Sequence, residues 1–398
     1  MEKLIVRFGT LHDNVGKPRR NGALVIEGDH ITEIGDRVAG AADKTGGARV
    51  LEAVCVVPGL INAHAHLEMS GEAQTTSVFV LTTPTQRTMT CAENASKSLR
   101  AGVTTIREIG GTENIAMDLR DTIDAGRLPG PKIVAAGQPI CMTGGHGWWA
   151  GRQADGPWDV CKAVREQRRG GADCIKFIAT GGVLTKGAVP GIEQLTEDEM
   201  RAGIDEAHKH GMHCAAHAIG TSGIKNAIRA GIDSIEHGHL IDDEGIRLMV
   251  ERGTYLVPTL SAIMCIIEAG PDAGMPDFVT RKAREILEHA EGNLRKARAA
   301  GVKFAGGSDA GTPFNYHDAY WRELELMQSM LGMNAREALF AASASAADLL
   351  GLKRGRLQEG EIADLLLLDH DIDSDARAFR DPTVVIKNGR IAADRRTA

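Results

Sequence analysis

No Cys-x-x-Cys occurs in this sequence, and its seven cysteines are scattered and odd in number. That usage fits reduced thiols in the cytoplasm better than a disulfide framework. No apolar run approaches the roughly 20 residues that a bilayer span requires. Met1-Glu2-Lys3-Leu4-Ile5-Val6 runs directly into a strand-like pattern, without the apolar segment of a secretory signal. Neither a membrane span nor an export signal is therefore expected. There is no block of basic residues and the formal net charge is −7, which argues against a nucleic-acid surface. Internal repeats and low-complexity segments are also missing. What the chain does have is ordinary globular material. Its 398 residues are 43% hydrophobic and 25% charged, enough for a barrel of about 250 residues and a smaller module.

Both ends of the chain have strand texture. Segments 23–28 and 30–35 meet at Gly28-Asp29, a hairpin signal. Segment 362–369 is an apolar strand, and 384–391 reads as strand, Asn388-Gly389 turn, strand. Neither end alone buries much, so residues 1–56 and 357–398 are expected to pair into one small β-sandwich domain. Between them, over 57–356, apolar strands alternate with amphipathic helices. The strands are expected at 56–61, 103–106, 132–136, 174–178, 213–217, 234–237, 255–260 and 304–307. Helices are expected at 197–210, 221–230, 242–252, 279–300 and 334–350, with a loop at 271–276. Eight such units predict an α/β fold, a (β/α)8 TIM barrel, whose active site lies at the C-terminal ends of the strands.

Those strand ends collect the chemistry. The first barrel strand closes with His64-Ala65-His66. Residues i and i+2 share a strand face, so two imidazoles aim at one spot. A divalent metal removes the cost of burying them without partners. A bare His-x-His is as readily two surface histidines. Strand four carries Lys176, strand five ends with His217, strand six with His237 and strand eight with Asp309. Singly, each histidine reads as a hydrogen-bonded core residue and Asp309 as a helix cap. Together, six such residues on the right strands point to a metal site.

Lys176 lies between apolar residues on a central strand, where its charge is poorly solvated. Burial lowers a lysine pKa, and a neutral amine is nucleophilic. It can add CO2 to give a carbamate, an anion able to bridge two cations. The competing reading is the Schiff-base lysine of an aldolase-like barrel, which would not need five further ligand-type residues in the same mouth.

The set of His-x-His, strand-four Lys, strand-five His, strand-six His and strand-eight Asp resembles the amidohydrolase superfamily. The finer motifs are Pro58-Gly59-Leu60-Ile61-Asn62-Ala63-His64-Ala65-His66, Gly144-Gly145-His146-Gly147, Lys176-Phe177-Ile178-Ala179-Thr180-Gly181-Gly182 and Gly307-Ser308-Asp309-Ala310-Gly311-Thr312. They are similar to the binuclear branch of imidazolonepropionase-like and prolidase-like enzymes and ochratoxin-type amidases. The likeness covers essentially the whole chain. It implies two divalent ions, with zinc the default for His/Asp ligation and manganese, cobalt or iron as alternatives. His64, His66 and Asp309 would hold the more buried ion and His217 and His237 the more exposed one. N6-carboxylysine at Lys176 and a hydroxide would bridge them, and attack by that hydroxide would cleave an amide-type C–N bond. Asp309 would act as general base and then acid, and His146 would donate a hydrogen bond to the tetrahedral oxygen.

Substrate contacts are less defined. Trp148 and Trp149 are candidate walls for an apolar or planar substrate, or a packed loop. His239, Tyr316 and His317 are candidate pocket residues, or caps and surface groups. Two positions depart from the resemblance. Ile219, two residues after His217, stands where peptidase-like relatives often place Tyr or His. Arg107-Glu108-Ile109-Gly110 stands where Arg-Asp usually precedes Gly. Ile219 tilts the expectation from a dipeptidase, Xaa-Pro or otherwise, toward an amide, anilide, urea or carbamate of a small molecule. A heterocycle deaminase, a non-catalytic scaffold relative and an aldolase-like lyase are the other readings. The expected partner is a small-molecule substrate, with no nucleic acid and no membrane, and the family likeness implies a homo-oligomer.

Overall fold

The structure, a computed structural model, describes residues 3–35 and 48–397. Residues 1, 2, 36–47 and 398 of the expected composite domain lie outside the described residues. The N-terminal strands are β1 Lys3–Leu11, β2 Arg19–Glu27, β3 His30–Gly35 and β4 Arg49–Pro58. The alternating units carry β5 Leu60–Ala65, β6 Val103–Glu108, β7 Lys132–Ala135, β8 Ile140–Cys141, β9 Arg152–Gln153, β10 Cys174–Ile178, β11 His213–Ala218, β12 Ser234–His237, β13 Tyr255–Val257 and β14 Lys303–Phe304. The tail adds β15 Leu365–Leu368, β16 Val384–Lys387 and β17 Arg390–Asp394.

Strands from both ends join in one seven-stranded sheet, ordered β17-β16-β15-β4-β1-β2-β3. Gly28-Asp29 makes the β2–β3 hairpin, with Glu27 paired to His30. Strands of both ends thus share one continuous sheet among the described residues, and the burial pattern shows what covers its two faces. Leu365 and Leu367 pack into the core between the terminal strands, with Val56 and Val384. Leu366 and Leu368 face the other way, into the core of the β/α units, as do Cys55 and Val57. An unbroken apolar strand needs cover on both faces; here the β/α units supply the second cover.

The units form two parallel sheets, β5-β6-β7 and β14-β13-β12-β11-β10-β8-β9. Backbone bonds tie the first to the segment after β14: Ala63 N to Gly306 O (2.9 Å), Asp309 N to His64 O (2.8 Å) and His66 N to Ala310 O (2.9 Å). At the opposite edge Asp173 N donates to Ala135 O (2.7 Å). Helices fall close to expectation at Glu197–His208, Thr221–Ala230, Asp243–Arg252 and Asp277–Ala299. Thr196 and Glu199 close a capping box at the first of these. Two differences matter for the site. The strand expected at 255–260 stops at Val257, because Thr259 turns left-handed (φ 48°) and the helix Leu260–Ala269 begins. The helix expected at 334–350 contains a π-turn at Ala341–Ser345, where Ala341 O is drawn off to Gly306 N. None of the described helices is long and apolar enough to cross a membrane.

Candidate metal centre

His64 and His66 leave the end of β5 on one face, and their rings stand 5.4 Å apart. His237 closes β12, 5.1 Å from His64 and 4.6 Å from the ring of His217 on β11. One cavity of about 890 Å3, counted with its open mouth, is lined by His64, His66, Lys176, His217, His237 and Asp309. Residues from five strand ends are therefore gathered at one place. His146, Trp149 and His239 line the same cavity.

His237 and Asp309 are in left-handed backbone, φ 73° and 59°. For residues with a Cβ this conformation is uncommon and costs energy that the surroundings must hold. It also has a geometric effect. Glu236 and His237 are adjacent, and a regular strand would send them to opposite faces. The turn at His237 lets both point inward.

Glu236 is the support the sequence reading missed. Its carboxylate receives Arg107 Nη2 (2.8 Å), Ser234 Oγ (2.6 Å) and His64 Nδ1 (2.8 Å). Burial alone would raise its pKa, but Arg107, then His64, hold it down at about 2. The Nδ1 proton of His64 is thereby committed to Glu236, which turns Nε2 toward the cavity as a ligand. Arg107 is wholly buried on β6. A fully buried guanidinium needs an acid, and that was the available signal.

Of the remaining groups, His237 Nδ1 meets Thr259 Oγ1 (2.7 Å) and His217 Nε2 meets Gly181 O (3.4 Å), whereas Asp309 and Lys176 lack such partners among the described residues. Asp309 Oδ1 lies 3.2 Å from His64 Nε2 and 3.0 Å from His66 Nε2. Neither nitrogen is aligned to donate, so Oδ1 is buried without a hydrogen bond. Burial holds His66, His217 and His237 below the ordinary imidazole value, so they are neutral lone-pair donors. Lys176 is 2% exposed, with no hydrogen bond or ion pair among the described residues, and burial lowers its pKa to about 8. Ionised carboxylate, neutral imidazoles and a deprotonatable amine are the donor set a divalent cation takes. Ligand atoms of His64, His237 and Asp309 already fall within 4.8 Å of one another. The residues fit the ion.

His146 has its ring 4.5 Å from that of His217, and burial lowers its pKa to about 4. Its Nδ1 is 2.9 Å from Thr185 Oγ1, which also accepts Gly147 N at 3.1 Å. His239 Nε2 gives its proton to Pro258 O (2.9 Å), which leaves Nδ1 as a bare acceptor without a partner. Trp149 packs edge-on against Phe79 at 4.8 Å. The other candidates stand outside the cavity lining. Trp148 and Tyr316 are each 50% exposed. His317 is buried, with Nε2 on Met69 O at 2.8 Å. Glu108 packs beside Glu68, and burial, then Glu68, pushes its carboxyl well up. Apart from Thr312, whose hydroxyl donates to Asp309 O (2.8 Å), the rest of the lining is apolar, with Ile109, Ile178, Ile219, Ile263, Ile266 and Ile286 among it and no arginine or tyrosine.

The chain is 29% identical to ochratoxinase of Aspergillus niger over 97% of its own length and 86% of that protein's. The crystal structure of A. niger ochratoxinase superposes with TM-score 0.87 at 26% identity, covering 99% of this chain and 96% of the other. A Xaa-Pro dipeptidase crystallised with methionine in its active site superposes with TM-score 0.90 at 32% identity, over 98% and 99% of the two chains. The amidohydrolase family profile matches residues 55–392, a span that holds every residue of the cavity described above. With the donor set, the backbone and the profile in agreement, the chain belongs to the amidohydrolase family, as a hydrolase acting on C–N bonds.

Proposed function

We propose that the enzyme hydrolyses an amide-type C–N bond in a small, largely apolar and uncharged molecule: an amide, anilide, carbamate or urea. The observation that carries this is the contrast within one cavity, six ligand-type residues on its floor and isoleucines on its walls. The hydrogen bonds at 306–310 and at Asp173 support reading the two parallel sheets as one eight-stave barrel, joined to a domain of residues 1–56 and 357–398.

His64, His66 and Asp309 would hold one ion, His217 and His237 a second, and the carbamate of Lys176 would be shared between them. Divalent ions, zinc by default, polarise a carbonyl and lower the pKa of a bound water toward about 7. Asp309 accepts the proton of the attacking water and delivers it to the leaving nitrogen. His146 donates to the oxygen that becomes negative in the tetrahedral state, since Thr185 supplies the proton at Nδ1 and leaves Nε2–H free. His239 Nδ1 accepts a substrate N–H, and Trp149 covers an apolar or planar group.

The second reading is a dipeptidase, favoured by the 32% identity to a Xaa-Pro dipeptidase. Ile219 and a lining without arginine speak against it, because a buried substrate carboxylate needs a cationic or hydrogen-bonding partner. A panel of aryl amides, carbamates, N-acyl amino acids and dipeptides, with zinc and bicarbonate supplied, tests the choice. Uncharged amides should exceed dipeptides by at least about tenfold in kcat/KM. Preference for dipeptides would overturn the reading, and ammonia release from a heterocycle would replace it with deamination. All seven cysteines are free, which supports a cytoplasmic location. A homo-oligomer is proposed from family likeness.

A further inference from the structure

A lysine outside the donor set is buried against the loop that carries the cavity wall. Lys282, on the helix Asp277–Ala299, is 6% exposed. Its Nζ donates to three backbone carbonyls of one loop: Gly182 O (3.4 Å), Thr185 O (3.0 Å) and Ala188 O (2.5 Å). Three carbonyls exhaust the three protons of an ammonium. The loop is pinched at its base, where Gly181 N donates to Ile192 O (2.8 Å) and Gly191 N to Gly181 O (3.3 Å). Beyond that pinch, Val183 and Leu184 pack on the apolar cluster of Ile219, Ile263 and Ile266, and among the described residues the polar contacts that hold the tip are Lys282 and the pairing of Thr185 with His146 and Gly147.

The loop sets His146 in two ways. A Cβ on Gly182 would fall 2.4 Å from His146 Nε2, so the glycine backbone lies directly on the ring. The Thr185 hydroxyl takes the Gly147 N–H and has a single proton to give; His146 Nδ1 is the acceptor the structure offers it. With Nδ1 accepting, the neutral ring carries its proton on Nε2. Val183 and Leu184, between these contacts, line the cavity. One buried ammonium therefore ties together the backbone that carries a wall, a contact with the ring of His146 and the hydroxyl at its Nδ1.

We propose that Lys282 is a positioning residue for the C–N hydrolysis, acting through loop 182–188 and the Thr185 hydroxyl to hold His146 as an Nε2–H donor. The proposal rests on the role given to His146 above. Lys282→Met keeps the stem and removes the charge. In the zinc-loaded enzyme it should lower kcat for the best aryl amide by about 10- to 100-fold, the scale of a misplaced catalytic group, with KM nearly unchanged. Thr185→Val cuts the same link at the hydroxyl, should give the same kcat loss, and keeps the test open if Lys282→Met folds poorly. In a His146→Ala background neither substitution should cost anything further. Additive losses would mean that Lys282 is a structural prop only and would overturn the proposal.

A second readout needs no turnover. Nitrogen-15 histidine spectra of the wild type should show the His146 signal, assigned by its absence in His146→Ala, as the Nε2–H tautomer. In Thr185→Val and Lys282→Met that signal should shift toward the other tautomer or exchange between the two. An unchanged tautomer in both variants would overturn the strap. Full activity of His146→Ala with a shifted tautomer in Lys282→Met would instead remove the catalytic role of His146 and leave the strap standing.

Discussion

Among the described residues three clusters gather His, Cys or Asp ligand atoms within 4.8 Å of one another: the buried His64, His237 and Asp309 at the strand ends, the largely buried His12, Cys55 and Asp371 beside the terminal sheet, and the more exposed His208, Cys214 and Asp233. The carboxylates of the first two are bonded in opposite ways. Asp371 accepts Thr10 Oγ1 (2.7 Å) and Arg20 Nη1 (3.0 Å) on one oxygen, and His12 Nε2 (3.0 Å) and the Asp373 N–H (3.1 Å) on the other. Asp309 Oδ1 faces two imidazole nitrogens and accepts nothing. A buried carboxylate oxygen without a donor costs several kcal/mol, a cost that persists only where something else removes it. Satisfaction of the donors, more than their identity, separates a metal site from a polar joint.

The strongest way to break this comparison is to take the base from Asp309 while keeping its oxygen. Asn tolerates the left-handed backbone found there, so Asp309→Asn should fold. Metal content per chain should stay near the wild-type value, by plasma emission analysis, while kcat falls by about 10²- to 10⁴-fold or more, the usual worth of a general base. Full activity would refute the role; loss of both ions would make Asp309 chiefly a ligand.

Much of this site was legible in the sequence, for a geometric reason. His64 and His66 obey the period of two, and Lys176 stands out because a charged side chain inside Cys174-Ile175-Lys176-Phe177-Ile178 needs a purpose. The rest was hidden where backbone leaves its regular form. Glu236 shares the interior with its neighbour His237 only through a positive φ. The helix that supplies Ile263 and Ile266 starts at a left-handed Thr259, which reads as strand in the sequence. Trp148 and Trp149 are indistinguishable in sequence, and Phe79, seventy residues earlier in the chain, holds Trp149 at the cavity. The composite sheet was visible at both ends, but Leu365-Leu366-Leu367-Leu368 could not say what covers its second face.

Glu236 sharpens the comparison from the side of the satisfied groups. Glu236→Gln leaves the Arg107 guanidinium buried without its counter-charge, at a cost of about 3–5 kcal/mol. It also weakens the bond that fixes His64 Nδ1, which should loosen metal by about 10- to 100-fold. Urea melts of the metal-free protein and a chelator-buffered zinc titration read the two effects separately. A change in zinc affinity without loss of apo stability would mean that Arg107 finds another acid.

The smallest effect is expected at the terminal joint, where it discriminates most. Asp371→Asn keeps one oxygen acceptor and loses the charge that Arg20 and His12 share. Hydrogen bonds to a charged group contribute about 1.5–3 kcal/mol each when buried, and less with the solvent access of this carboxylate. A stability loss of about 1–2 kcal/mol is therefore expected in the urea melt, with zinc per chain unchanged. The same holds for Cys55→Ser, since burial lifts this thiol's pKa to about 12 and keeps it from the thiolate form a metal selects. Should either substitution lower the zinc count by one, saturation with hydrogen bonds would not protect a cluster from metal. The rule drawn from Asp309 would then fail, because an ion would have displaced four donors to reach Asp371.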